Sequence, residues 1–208
     1  MPVLLHPVYF PNIYTFSILA QQSIIWEVWD NYQKQTYRNR CYICTDRGKL
    51  MLNIPIRHVG GKQGRQLYRD VQLDHSAPWL RQHWRTLQTA YRTSPFFEYY
   101  EDELGMLYES KEKYLLDFNL KTIATTCELL QIPFPEEKTT SFIEDTEEII
   151  NGRFLVNAKM EIPKSFLPYT QVFGDRHGFI GNLSILDLLF NEGSNALHYL
   201  QQQAVELK

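Results

Sequence analysis

Two short apolar runs flank an amphipathic segment at the start of the chain. The run Val3–Leu5 stops at His6-Pro7, as a buried strand does at a turn, and Ser23–Trp29 predicts a second strand. Between them, Pro11 can open a helix over residues 12–20 as its first-turn residue. The order of strand, helix and strand constrains the fold most, because it predicts a βαβ-like opening with its polar turns on one side.

The stretch from residue 27 to residue 44 carries the most chemistry. Almost every side chain from Asp30 to Arg40 ends in a hydrogen-bonding group. A connector that only had to turn would use Gly, Pro, Asn or Asp over a few residues. Long side chains with planar or cationic tips instead recognise carboxylates, phosphates and sugar hydroxyls. The stretch therefore predicts a binding site, with a solvated polar loop as the alternative.

The middle of the chain predicts a hairpin and then helices. Residues 38–45 and 49–56 predict two strands about the turn Asp46-Arg47-Gly48, and residues 67–73 predict another strand. Apolar residues at helical spacing predict helices over residues 77–92, with Ser76 as the cap and Pro78 in the first turn, and over residues 96–109 and 113–130. Residues 139–161 give mixed signals and predict a surface connector with one short helix or strand.

The C-terminal part predicts an extended segment over residues 167–173, a turn over residues 174–178 and a short helix over residues 182–190. Ser184 and Asp187 have the spacing of a capping box with Asp in place of Glu, so helix capping is the interpretation of both residues. Gly193 is expected to end this helix, and Ser194 to open the final one.

These elements predict a single domain of 208 residues with an α+β (or α/β) fold. A mixed sheet from the N-terminal third is expected to be packed by helices from the middle and C-terminal parts. The expected divisions are a mainly sheet part at 1–75, a helical part at 76–130, a variable connector at 131–164, and a loop with C-terminal helices at 165–208.

Composition limits the function. The net charge of −3 provides no basic field for nucleic acid, and no apolar run approaches the roughly 20 residues of a membrane span. The N-terminus lacks the pattern of a signal peptide, and three cysteines argue against a disulfide scaffold, so a cytoplasmic protein is expected.

Cys41 and Cys44 have the C-x-x-C spacing that is typical of some metal-binding and redox sites. On a strand, residues three apart point to opposite faces, and the chain has no second cysteine pair to complete a zinc site. Cys127 is predicted to lie buried on a helix, and His75 and His83 have no neighbours at ligand spacing. We predict no metal and no cofactor.

The segment 57–65 combines three glycines with Arg57, Lys62 and Arg65. It is not a P-loop, because no Ser or Thr follows the lysine. Two interpretations remain: an exposed hairpin tip, or a loop that closes over an anionic ligand.

Four stretches together resemble the WbqC-like proteins, in particular the form found in the Bacteroidetes. The first two are His6-Pro7-x-Tyr9-Phe10-Pro11 and Asp30-x-Tyr32-Gln33-Lys34-Gln35-Thr36-Tyr37-Arg38-Asn39-Arg40. The third joins residues 79–83 to Ser94-Pro95-Phe96-Phe97. The fourth is Tyr169-x-Gln171-x-Phe173, followed by Gly178-Phe179-Ile180-x-Asn182-Leu183-Ser184-Ile185-Leu186-Asp187-Leu188-Leu189. The resemblance covers nearly the whole chain except residues 131–164.

The resemblance implies a role in making O-antigen or another bacterial surface polysaccharide, with proteins of that pathway as partners. It carries over no catalytic residue. His6 stands where many relatives have Gln, so the resemblance does not support a catalytic base at this position. It does favour a site in the polar stretch, because the same residues form its second motif.

The first hypothesis is an enzyme that transfers a group to or from a nucleotide-linked or lipid-linked sugar, an anionic small molecule. Asp30 is the leading candidate base and His6 the second. Phosphate or carboxylate groups would be held by three cations, Lys34, Arg38 and Arg40. Sugar hydroxyls would be contacted by four amides, Gln33, Asn39, Gln171 and Asn182. A ring of the substrate would stack on one of three tyrosines, Tyr9, Tyr32 or Tyr169.

Two alternatives remain open. The same groove could belong to a non-catalytic sugar-binding or assembly protein, or Asp30 could form a structural ion-pair network with Arg38 and Arg40. We also expect the first turn, the 30–40 stretch and the 169–182 loop to line one cleft, since polar and aromatic residues recur in all three.

Overall fold

The strand–helix–strand opening predicted from the sequence forms the centre of the protein. The structure is a computed structural model and describes residues 1–57, 66–144, 147–160, 162 and 165–207. Strand β1 (Val3–Leu5) is followed by helix α1 (Ile13–Gln21) and strand β2 (Ile24–Trp26). The two strands pair in parallel, and all six of their residues are buried, as expected of a parallel sheet covered on both faces.

The third strand of this sheet comes from the connector. Strand β5 (Ile150–Asn151) pairs in parallel with β1, so the strand order is β2-β1-β5. The connector was expected to contain one short helix or strand, and the structure places this strand in the sheet rather than on the surface. The 3-10 turn Arg153–Val156 follows directly, and it returns the chain across the end of β1.

The predicted hairpin is a separate two-stranded antiparallel sheet. Strand β3 (Arg40–Thr45) pairs with strand β4 (Gly48–Asn53), with Arg40 opposite Asn53 at the open end and Thr45 opposite Gly48 at the turn. Gly48 has a φ of 94°, which a residue with a side chain rarely adopts. This requirement explains why the tight turn ends in glycine.

Helices pack around both sheets and share one continuous hydrophobic core with them. The helices after the hairpin are α2 (Trp79–Tyr91), α3 (Phe97–Leu107), α4 (Leu115–Leu129), α5 (Gly174–His177), α6 (Ile185–Glu192) and α7 (Ala196–Gln202). The α+β fold is confirmed. No helix in the described part of the chain is long and apolar enough to cross a membrane.

Two local predictions were wrong. Residues 67–73 do not form a strand: they contain the 3-10 turn Tyr68–Asp70, with isolated bridges at Leu67, Gln72 and Leu73. The turn directs the Tyr68 side chain into the interior, where burial outweighs the β propensity of the run. Residues 174–178 were expected to form a turn, and four of them form the single helical turn α5. The glycine-rich loop lies, except for Arg57, outside the described residues.

Gly152 lies where β5 meets β1, and this close approach generates a prediction. A Cβ atom at this position would lie 2.6 Å from Leu5 Cδ2 and 3.1 Å from the carbonyl oxygen of Leu4. Gly152→Ala should therefore lower the free energy of unfolding by about 1–3 kcal/mol, measured by chemical denaturation, because the core must shift to admit the methyl group.

Gly174→Ala is the matched control, since nothing lies within 4 Å of its added Cβ. We expect this substitution to change the free energy of unfolding by less than about 0.5 kcal/mol. Equal effects of the two substitutions would contradict the packing of β5 against β1.

Candidate functional site

The carboxyl ends of the parallel strands bring three charged or titratable residues to one edge of the sheet. His6 follows β1 directly, Glu27 follows β2, and Arg153 lies just after β5. Parallel strands end at the same edge, and open α/β sheets bind ligands there. The same edge receives Asp30 and Arg38 from the polar stretch, and both contact His6.

Arg38, Asp30 and His6 form a compact cluster. Arg38 Nη2 donates to Asp30 Oδ2 at 3.2 Å and lies 2.9 Å from His6 Nε2. His6 Nδ1 lies 3.3 Å from the carbonyl oxygen of Glu27. These distances fit a neutral imidazole that donates from Nδ1 to Glu27 and accepts from Arg38 at Nε2, since Nη2 has two hydrogens to give. Protonated His6 would instead donate from Nε2 to Asp30 Oδ2, 3.2 Å away.

Burial and charge keep His6 neutral and Asp30 ionised. Burial lowers the pKa of His6, and the charge of Arg38 lowers it further against the opposing effect of Asp30. Burial alone would raise the pKa of Asp30, but protonated His6, the Asn31 amide and Arg38 all favour the carboxylate, and together they bring this pKa below its usual value. Asp30 is the most accessible member, with 19% of its side chain exposed, whereas Arg38 is fully buried.

Arg38 is held from two sides by residues that the sequence did not single out. Its guanidinium carbon lies 5.2 Å from the ring centroid of Tyr68, whose hydroxyl donates to the carbonyl oxygen of Pro7 at 2.7 Å. Asn119 on α4 donates from Nδ2 to the carbonyl oxygen of Arg38 at 2.6 Å. Arg38 Nε and Nη1 have no hydrogen-bond acceptor among the described residues. The packing therefore fixes this cation in place without satisfying it fully.

Glu27 anchors the connector beneath this cluster. Its buried carboxylate accepts hydrogen bonds from the Trp29 amide at 2.7 Å and from the Thr139 hydroxyl at 3.1 Å. Arg153 Nη1 lies 3.9 Å from Glu27 Oε2 and donates to the Ile143 carbonyl at 2.7 Å. Glu27 thus ties residues 139–153 to the end of β2. In the sequence, the only sign of this role is the position of Glu27 at the end of an apolar run.

A cleft of about 480 Å³ lies at the open end of the β3–β4 hairpin; we call it the open-end cleft. Tyr32 lines this cleft together with Arg40, and its ring centroid lies 6.4 Å from that of Tyr68, the ring that packs against Arg38. Tyr32 thereby links the Arg38 cluster to the open-end cleft. The residues lining this cleft are Tyr32, Lys34, Gln35, Asn39, Arg40, Asn53, Ile54, Pro55, Ile56 and Asp74.

Four of the predicted binding residues line the open-end cleft: Tyr32, Lys34, Asn39 and Arg40. Asn39 Oδ1 and Arg40 Nε are buried and lack partners among the described residues. The wall of the cleft therefore has hydrogen-bonding capacity that these residues do not use. Gln33, between Tyr32 and Lys34 in the chain, is exposed, and its carbonyl accepts from the Thr36 hydroxyl at 3.0 Å.

Tyr9 was expected to stack on a substrate ring, and its burial contradicts that role. Its side chain has no exposed surface, and its hydroxyl lies 3.0 Å from that of Tyr108 and 3.1 Å from His83 Nδ1. A large ring after an apolar run is drawn into the core because it buries so much apolar surface. Burial also lowers the pKa of His83 to about 4.

Asp187 was interpreted as a helix cap, and this was wrong for the carboxylate. Ser184 does cap α6, accepting from the Leu186 amide, but Asp187 points into the core. Its carboxylate accepts from the hydroxyls of Tyr91 at 2.7 Å and Tyr169 at 2.5 Å, and from Gln171 Nε2 at 2.8 Å. Burial raises its pKa, and these three donors oppose the rise. We call this group the Asp187 network.

The predicted site residues therefore fall into separate groups rather than one cleft. Tyr169 and Gln171 belong to the Asp187 network, which reaches β3 at Cys44 through the Tyr91 hydroxyl. Arg40 lies four residues earlier on the same strand, about 13 Å away at the rise of an extended chain. Asn182 accepts from the Tyr14 amide at 3.0 Å and so closes the first turn of α1.

All three cysteines are buried free thiols. Burial raises the pKa of Cys127 to about 12 and that of Cys44 to about 11, so both stay protonated near neutral pH. Within the described ranges, no group of three or more His, Cys, Asp or Glu side chains is placed to hold a metal ion.

The burial of Arg38 predicts a large effect of its removal on stability. Arg38→Ala leaves a cavity and removes the charge that pairs with Asp30, so we expect the free energy of unfolding to fall by about 3 kcal/mol. Lys34→Ala, an exposed cation of the same stretch, should change it by less than about 0.5 kcal/mol. Chemical denaturation measures both. Similar small changes would show that Arg38 is not held as described.

The lowered pKa of His6 predicts a pH dependence of stability. The unfolded chain binds a proton at this residue below about pH 6.5, whereas the folded protein resists it to lower pH. The free energy of unfolding should therefore fall as pH falls from about 6.5, and His83 adds a similar contribution down to about pH 4.

His6→Gln should reduce this slope by up to about 1.4 kcal/mol per pH unit. The exposed residue His198 is the control, and His198→Asn should leave the slope unchanged. Denaturation curves at pH 7.5 and 5.0 make the comparison. An unchanged slope in His6→Gln would contradict a neutral buried imidazole at this position.

Comparisons with known proteins support the resemblance. A protein of Mycobacterium tuberculosis, named "Uncharacterized protein Rv1507c", is 25% identical in an alignment that covers 82% of this chain and 84% of that protein. No solved structure matches the chain. The model of the WbqC-like protein family matches residues 6–164. This range includes the connector that the resemblance omitted and ends before the fourth stretch. Because the match covers most of the chain, the protein belongs to the WbqC-like protein family.

Proposed function

We propose that this protein is a cytoplasmic enzyme that transfers a group to or from a nucleotide-linked or lipid-linked sugar in the synthesis of O-antigen or another surface polysaccharide. One observation carries the proposal. A partly exposed carboxylate, Asp30, is held by a buried arginine and histidine at the carboxyl edge of a parallel sheet, two residues before Tyr32, which lines a cleft with two cations. This combination supports chemistry on an anionic substrate.

The open-end cleft would hold the charged end of the substrate. Lys34 and Arg40 would contact the diphosphate, each with a charge-assisted hydrogen bond worth about 1.5–3 kcal/mol. Tyr32 would stack on a ring of the substrate, and Asn39 and Gln33 would contact its hydroxyls. Arg38 is buried and would act on the substrate only through Asp30 and His6, which it orients.

Asp30 would act as the general base. An acceptor hydroxyl would lose its proton to the Asp30 carboxylate as its oxygen bonds to the transferred group. The bond from that group to the diphosphate would break, and Lys34 and Arg40 would stabilise the charge on the leaving oxygen. The lowered pKa of Asp30 keeps the carboxylate ionised and able to accept the proton at neutral pH.

A second function, a non-catalytic sugar-binding or assembly protein of the same pathway, is favoured by the contacts of Asp30 itself. Asp30 Oδ1 accepts from the Asn31 amide at 2.6 Å, and Oδ2 already accepts from Arg38. A carboxylate with two donors and a lowered pKa is a weak base, although it still accepts hydrogen bonds from sugar hydroxyls. The two functions share the open-end cleft and differ in the role of Asp30.

Substitution of the two cleft cations tests the shared part of the proposal. A thermal-shift screen against nucleotide sugars should find ligands that raise the melting temperature. Lys34→Gln and Arg40→Gln should each weaken binding of such a ligand about tenfold or more, because each removes a charge-assisted contact. Lys159→Gln, which neutralises an exposed lysine elsewhere, is the control and should bind as the wild type does.

Asp30→Asn separates the enzyme from the binding protein. In an enzyme, this variant should keep ligand binding and lose turnover, measured as release of the nucleotide. Turnover equal to that of the wild type would exclude Asp30 as the base, and no turnover by the wild type with any ligand that it binds would favour the binding protein. Unchanged binding by the Lys34 and Arg40 variants would rule out the open-end cleft for both functions.

A further inference from the structure

A second cleft lies at the turn end of the β3–β4 hairpin; we call it the turn-end cleft. It has a volume of about 510 Å³ and lies between the hairpin, helix α2 and the segment before α5. Along strand β4, its lining residue Leu50 lies three positions from Asn53 of the open-end cleft, about 10 Å at the rise of an extended chain. The lining residues are Thr45, Asp46, Arg47, Lys49, Leu50, Arg85, Thr86, Thr89, Ala90 and Phe173.

The turn-end cleft has an excess of positive charge. Arg47 and Arg85 line it, and neither has an ion-pair partner within 4.0 Å among the described residues. Lys49 adds a third cation, with its ammonium 4.5 Å from the ring centroid of Tyr42. Against these three cations the lining contains one carboxylate, Asp46. Because the three cationic residues line one concave surface, their fields add, and the cleft attracts an anion.

Apolar surface lies beside these charges. Phe173 is half-buried and contributes a ring, and Leu50 and Ala90 complete an apolar wall. The Leu50 side chain is 38% exposed, although one face of its strand, β4, packs against the core. A cleft that served only to hold a small inorganic anion would have no use for this wall. A ligand with both an anionic group and an apolar body would fit both parts.

Buried hydrogen bonds hold the three walls of the turn-end cleft together. In the Asp187 network, Tyr91 of α2 and Gln171 of the segment before α5 both donate to Asp187. His177 Nε2 lies 3.0 Å from the carbonyl oxygen of Asp46, which joins α5 to the hairpin turn. The walls are therefore fixed before a ligand arrives, which lowers the entropic cost of binding. The Tyr169–Phe173 stretch therefore has a structural role, because Tyr169 and Gln171 both donate to Asp187.

We propose that the turn-end cleft binds a phosphate monoester with an apolar body. The phosphate lies between Arg47 and Arg85, with Lys49 at the rim, and the apolar body lies against Phe173 and Leu50. Arginine suits this role because its planar fork can donate two hydrogen bonds to one phosphate. The site is separate from the one proposed for sugar chemistry, because the two clefts share no lining residue.

Isothermal titration of the full chain with phenyl phosphate tests the proposal, with inorganic phosphate and phenol as partial ligands. Phenyl phosphate should bind at least about tenfold more tightly than either partial ligand, because only it uses both the cations and the apolar wall. The double variant Arg47→Gln/Arg85→Gln should reduce the affinity for phenyl phosphate by about thirtyfold or more. Arg81→Gln, which removes the same charge one turn earlier on α2, should leave it unchanged.

Phe173→Ala separates the two parts of the turn-end cleft. This variant should bind inorganic phosphate as the wild type does, while losing the preference for phenyl phosphate. Equal affinities for phenyl phosphate and inorganic phosphate in the wild type would overturn the proposal, as would equal losses in Arg81→Gln and the double variant. A loss caused by Lys34→Gln, with the double variant unaffected, would place the ligand in the open-end cleft and would also overturn it.

Uridine monophosphate and hexyl phosphate then distinguish the source of the ligand. Tighter binding of uridine monophosphate would identify a nucleotide whose base lies on Phe173, and tighter binding of hexyl phosphate would identify a lipid phosphate. Either result supports an apolar-bodied phosphate monoester. Binding of neither, in a protein whose melting temperature is normal, would contradict it.

Discussion

The buried guanidinium of Arg38 is the constraint on which the sheet edge depends. A charge without solvent contact is stable only where its surroundings compensate it, and here Asp30, His6 and the ring of Tyr68 do so. These partners come from the end of β1, the polar stretch and the 3-10 turn at 68–70, and Asn119 adds α4 through the Arg38 carbonyl. One cation thus joins four parts of the chain, and it also determines how Asp30 is oriented and ionised.

The β3–β4 hairpin is the second element on which the two clefts depend. Its open end carries Arg40 toward the Arg38 cluster, and its turn end carries Arg47 toward α2. Two carboxylates, Asp30 and Asp187, hold the surrounding segments in different ways. Asp30 is paired with a cation and stays ionised, whereas Asp187 accepts only neutral donors and its pKa is raised by burial. The ionised Asp30 suits a site that binds a charged ligand, whereas Asp187 with its neutral donors suits the rigid wall of a cleft.

Several features of the fold and the site could be predicted from the sequence because they depend on local patterns. Apolar runs flanking Pro11 predicted the parallel opening, and Asp46-Arg47-Gly48 predicted the hairpin turn. The chemistry of the 30–40 stretch indicated the residues of the open-end cleft and the contact between Asp30 and Arg38. Tyr68 and Asn119 gave no such signal, because their partners Arg38 and Pro7 lie at least 30 residues away in the chain.

The sequence by itself determined the short-range elements, since helix periodicity, strand alternation and turn residues act over a few positions. Only the tertiary structure decided which polar side chains are buried. Arg38 and Lys34 are both cations of the 30–40 stretch, yet Arg38 is buried and Lys34 is exposed. Asp187 has the spacing of a helix cap, yet its carboxylate accepts hydrogen bonds from two tyrosines of other segments. Burial depends on which distant segments cover a residue, and that information resides in the packing of the whole core.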